Sequence, residues 1–182
     1  MPEPLTDKMA PSSARPWRAW FGWHNLRPAS TEHVAQFGPL LSALRWVALS
    51  LALALGLIDG ALHTLNLELF VLTDTGVVHA LEAAALRGVA VRVLLDPSQP
   101  SSAASYAALL NAGIPVRWYR SRGELLHAKA IVADATSVLF GSANWSGGGF
   151  ARNHELDIEL AAAPVVAGEM LAQMQLDWAA SA

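Results

Sequence analysis

From Leu126 to Asn144 the chain runs Leu-His-Ala-Lys-Ala-Ile-Val-Ala-Asp-Ala-Thr-Ser-Val-Leu-Phe-Gly-Ser-Ala-Asn, and this period-two alternation leaves little choice but a β-hairpin. Side chains two apart on a strand share a face, so His127 and Lys129 project together. Leu126, Ala128, Ala130 and Val132 point the other way and give that face something to bury. Asp134-Ala135-Thr136-Ser137 reads as the turn and Val138-Leu139-Phe140 as the return strand. Ser142 and Asn144, again two apart, are expected beside His127 and Lys129.

The same segment carries chemistry. It reads H-x-K-x4-D followed by G-S-x-N, six residue types at fixed offsets. With each type near one residue in twenty, a chance match in a chain of this length is roughly one in 10^5. An imidazole, an ammonium, a hydroxyl and a carboxamide converging on one spot suit a phosphate. Lys129 supplies charge, and Ser142 and Asn144 supply uncharged donors. Among the four, His127 is the good nucleophile near neutral pH.

These residues resemble the HKD motif of the phospholipase D superfamily. Residues from about 57 to 160 resemble one whole domain of it, with Leu72-Thr73-Asp74 before a helix, Arg87-Gly88-Val89 leading into Val91-Arg92-Val93-Leu94-Leu95-Asp96, and Asn153-His154-Glu155-Leu156 after the motif. The resemblance implies an α/β fold, a mixed β-sheet flanked by helices on both faces. It also implies a phosphodiesterase that uses a phosphohistidine and neither metal nor other cofactor. On it, His127, Lys129, Asp134 and Glu155 form the catalytic set, Asp134 being usually more structural than chemical. Lys129, Ser142 and Asn144 hold the phosphate oxygens, and Glu155 takes the acidic position that orients a catalytic imidazole.

That mechanism needs a second histidine to protonate the leaving group and then activate water. None of the other five histidines (His24, His33, His63, His79, His154) starts another H-x-K. A homodimer with His127 of each copy facing the other is therefore expected, as in the small bacterial endonucleases of the superfamily. Alternatively the chain is one half of a two-motif enzyme. Nucleic acid is the favoured substrate on the single motif and small size, with phospholipase D or phosphatidyl transfer on phospholipid head groups as the alternative. A catalytically idle binding module is the third reading.

Composition narrows the remainder. Of 182 residues 53% are hydrophobic, ample for a core, and the net charge of −3 gives no global basic footprint for nucleic acid. With no cysteine, disulfides and thiolate metal sites are excluded. Residues 1–45 are expected to form a loose, Pro- and Trp-containing extension before the catalytic domain of 46–182. Within it Trp17, Trp20 and Trp23 suit a helical face for peripheral membrane contact or for packing on this domain or a partner. Residues 46–58 carry no charge but are short of a bilayer span, and extension back to Gly38 takes in Arg45. A buried helix is expected there, and a signal-anchor with Arg15, Arg18, Arg27 and Arg45 inside is the alternative. A cytoplasmic location is favoured over a membrane-associated or exported one.

Downstream, strands at Leu65–Val71, Val89–Leu95 and Val116–Tyr119 alternate with helices over 74–86 and 103–112. Asp74 is expected to cap the first helix, Gly88 to end it, and the serines of 98–102 to cap the second. Val165–Trp178 reads as a closing amphipathic helix. Arg120 and Arg122 stand where they can draw a polyanion toward His127, Gly147-Gly148-Gly149 permits close backbone approach, and Trp145 is suited to stacking or packing.

Overall fold

A computed structural model describes residues 39–120 and 123–181, with side chains from position 49 onward. Trp17, Trp20, Trp23 and Arg122 lie outside the described residues. Six strands form one mixed sheet: β1 (Thr64–Leu69), β2 (Ala90–Leu95), β3 (Val116–Trp118), β4 (Lys129–Ala133), β5 (Ser137–Gly141) and β6 (Asp157–Leu160). Their spatial order is β3-β2-β1-β4-β5-β6, parallel from β1 to β3 and antiparallel across β1-β4, β4-β5 and β5-β6.

The alternation of β1 explains the two layers. Leu65, Leu67 and Leu69 face a core shared with α1 (Pro39–Gly60), α2 (Thr75–Leu86), α3 (Ala103–Asn111) and α4 (Gly147–Ala151). On the other face Ala130, Val132 and Val138 meet Ala167 and Met174 of α5 (Pro164–Ala180). Helices thus cover both faces, as the resemblance implied. Helix α1 buries Ala54 and Ile58 in the first core, and because it begins at Pro39 the boundary expected at 45/46 falls inside it. Among the described residues no helix is long and apolar enough to cross a membrane.

Local signals act mostly as the sequence suggests. Asp74 caps α2 by accepting from Val77 N at 3.1 Å, and Gly88 follows the helix at φ 92. The expected serine cap of α3 is different: Ser102 makes no side-chain cap bond, and its hydroxyl accepts instead from Leu72 N at 3.1 Å. That choice satisfies a buried amide outside any ladder, a stronger demand than a helix end.

On the α5 face one group is poorly served. Glu68 of β1 is 7% exposed and its Oε1 has no partner. Burial pushes its carboxyl up to about 7, and Asp177 of α5 adds to the effect. Nearby Arg92 donates to Asn66 Oδ1 at 2.6 and 3.0 Å, and Arg92 and Arg117 both lie over the Trp178 ring.

Candidate active site

Strand β4 begins only at Lys129, so His127 sits at the end of the preceding loop, exposed, and needs other fixings. Phe70, the first residue after β1, provides one. Its ring lies 4.6 Å from that of His127 and its face 4.8 Å from Lys129 Nζ, so one aromatic seats both side chains. Its amide also donates to Ala128 O at 2.7 Å. The 6%-exposed lysine donates to His127 O at 2.8 Å. Burial holds the Lys129 ammonium below the ordinary lysine value, and the Glu155 carboxylate opposes this.

Glu155 links the second half of the motif to the first. Its Oε2 accepts from Ser142 Oγ at 2.5 Å and its Oε1 from Asn153 Nδ2 at 3.0 Å, while Ser142 Oγ accepts from Leu156 N at 3.0 Å. Strict continuation of the β4-β5 register would pair Ser142 with Ala128, on the face away from Lys129. The ladder stops first. Gly141 backs so closely onto Asp157 and the Leu156 carbonyl that a methyl there would overlap both. Beyond it Ser142 follows the 153–156 segment. Asn144 is half-buried and its Oδ1 has no partner. A methyl on Gly149 would overlap the Asn144 carbonyl, so within the glycine run it is Gly149 that serves close approach at α4.

Asp134 is not brought to this group. It stands at the opposite end of β4, in a turn with φ 52, and accepts from Leu62 N, His63 N and Thr64 N at 2.7 to 2.9 Å. Burial raises its carboxyl, but the three amides and His63 outweigh that and hold it below the ordinary carboxylate value. Its geometry is that of a clasp between the β4-β5 turn and the start of β1. Asp134→Ala is expected to cost roughly 2–3 kcal/mol of stability while kcat per folded molecule stays within about twofold, read by urea unfolding and a chromogenic diester.

Trp145 is buried in the core, bridged to Leu72 and close to Phe150, so packing accounts for it. Phe70 was not legible as a site residue, being one more apolar letter in Leu67-Glu68-Leu69-Phe70. Among the described residues no group of three or more His, Asp or Glu is placed to hold a metal ion.

Comparison with known proteins identifies the fold and the family. Cardiolipin synthase A of Pseudomonas aeruginosa is 35% identical over 115 residues, 59% of this chain and 23% of that relative. Mitochondrial cardiolipin hydrolase of Xenopus laevis is 36% identical over 97 residues, 53% of this chain and 46% of the relative. The chain thus matches less than half the length of either. Nuc from Salmonella typhimurium, a phospholipase D family member, superposes with a TM-score of 0.68 at 28% identity, over 72% of this chain and 88% of its own. NucT from Helicobacter pylori shares the fold, with a TM-score of 0.65 at 17% identity over 75% and 91% of the two chains. The family model described as cardiolipin synthase, PLD-like domain, matches residues 55–178. That span takes in both halves of the motif and Glu155, and on it the chain belongs to the phospholipase D superfamily.

Proposed function

We propose that this chain is a phosphodiesterase working through a phosphohistidine on His127, its reacting centre completed by a second copy, with a phospholipid diester as substrate. The observation that carries the chemistry is the pairing of an exposed imidazole with a buried ammonium on one aromatic seat. In the first step an imidazole nitrogen of His127 attacks phosphorus and the bond to the leaving oxygen breaks. The second copy's imidazolium gives that oxygen its proton. Lys129 moves from the His127 carbonyl to a non-bridging oxygen, with the Asn144 amide as a further donor and Ser142 joining once its hydroxyl turns from Glu155. Water then attacks phosphorus, loses its proton to the second imidazole, and the P–N bond breaks. Glu155 steadies the imidazolium.

The lipid reading rests on the surroundings. Residues 120–160 hold five Asp or Glu against four Lys or Arg, so the segment around the site has no net positive charge to draw a polyanion. Leu125, Leu156 and Ile158 are 62%, 69% and 42% exposed in the segments flanking the site, apolar surface of the kind acyl chains prefer. The names of the two curated relatives, cardiolipin synthase and cardiolipin hydrolase, point the same way. Nucleic acid, favoured by the single motif, is the second reading.

With chelator present, phosphatidylcholine and phosphatidylglycerol vesicles, plasmid and single-stranded DNA are assayed in parallel. Head-group release without nicking is expected. Nicking without lipid turnover would replace lipid by nucleic acid, and equal activity in His127→Ala would remove the catalytic assignment altogether.

A further inference from the structure

The loop bearing His127 has no ladder to hold it until Lys129. Nucleophile placement tolerates little error, so whatever fixes residues 123–128 acts on the reaction through His127. From this segment Leu126 N, one residue before the nucleophile, donates to Asp96 Oδ2 at 2.7 Å.

Asp96 stands at the C-terminal end of β2 and is 1% exposed. Strand β1 lies between β2 and β4, so the carboxylate reaches past the end of one strand to hold the approach to the next but one. Its other oxygen is spoken for: Oδ1 accepts from Ser98 N at 2.8 Å and Ser98 Oγ at 2.5 Å. Those two bonds set the carboxylate plane and leave Oδ2 aimed at Leu126. A buried carboxylate satisfied by neutral donors is costly to keep, and worth keeping only where each bond is well made. The Leu126 side chain is 6% exposed and anchors the same residue from its other side.

The geometry points to Asp96 as the positioning residue for His127: a buried carboxylate, pre-oriented by Ser98, that fixes the peptide directly before the nucleophile. It touches neither His127 nor the substrate, and this role rests on the reading of His127 as the nucleophile.

The test compares wild type, Asp96→Ala, Asp96→Asn and Asp134→Ala with bis-p-nitrophenyl phosphate, alongside backbone hydrogen exchange. Asp96→Ala is expected to lower kcat by roughly 10^2-fold with KM nearly unchanged, and to speed exchange in 123–128. Asp96→Asn is expected to fall between, since its carbonyl can accept from Leu126 while its amide meets the Ser98 N–H donor to donor. Asp134→Ala removes a carboxylate bonded to three amides at the far end of the sheet and serves as the exchange control, expected to leave 123–128 exchange unchanged. Unaltered exchange in Asp96→Ala, or faster exchange with unaltered kcat, would overturn the assignment. Should wild type and His127→Ala hydrolyse the probe equally, the phosphodiesterase reading fails, while exchange still decides whether Asp96 holds the loop.

Discussion

Equal amounts of wild-type and His127→Ala chains, unfolded together and refolded, should recover about one quarter of the wild-type activity, because random pairing makes only that share of dimers fully wild type. One chain supplies one motif, and the cycle uses one imidazole on phosphorus and another on the leaving oxygen. A mixed dimer has lost one of the two, whichever role the missing ring would have played. Independent sites would retain half the activity, and that result would remove the second copy from the mechanism. His127→Ala alone should lose at least about 10^3-fold in kcat, since neither nucleophile nor acid remains. His63 lies beside the Asp134 clasp at the opposite sheet end, and His79 is on α2, so neither is placed to take over.

The second large effect concerns stability. Glu68 titrates at about 7 in the fold against 4.5 as its ordinary value, so between those values the folded chain keeps a proton that the unfolded chain releases. Its contribution is fully present below pH 4.5 and is lost as pH rises through about 7. The interval corresponds to at most roughly 3 kcal/mol. Asp177 faces the group from α5, while Arg92 and Arg117 are engaged by Asn66 and Trp178. Glu68 Oε1 has no hydrogen-bond partner. Glu68→Gln should therefore raise stability at pH 8 by up to about that amount, and flatten the unfolding free energy between pH 5 and pH 8. Urea titrations across that range measure it, and an unchanged slope would place the proton elsewhere.

What the sequence revealed of the site follows the range of each interaction. Period-two alternation is local, and it correctly put His127 and Lys129 together and gave the β4-β5 hairpin its turn. Beyond Gly141, which pairs with Asp157 of β6, Ser142 follows the 153–156 segment, and alternation along β4 and β5 does not state that route. Glu155, thirteen residues beyond Ser142, was reached only through the family resemblance. Phe70 and Asp96 escaped for one reason: their partners lie across the order β2-β1-β4, and nothing in the spacing of strands along a chain states which become neighbours. Glu68 escaped because the carboxylate that acts on it, Asp177, arrives on α5. The Asp134 clasp is another such case, spanning some seventy residues to reach Leu62, His63 and Thr64.

The bond from Lys129 to the His127 carbonyl also sets a condition of exchange for any ligand. An arriving ligand must offer a better acceptor than a peptide oxygen before the ammonium changes partner. Water, amides and neutral esters gain little by that comparison, whereas an anionic phosphate oxygen gains much. Selectivity for a charged diester thus begins with what the lysine already holds. The same tether keeps a buried ammonium from standing bare between turnovers, the condition that would otherwise cost most.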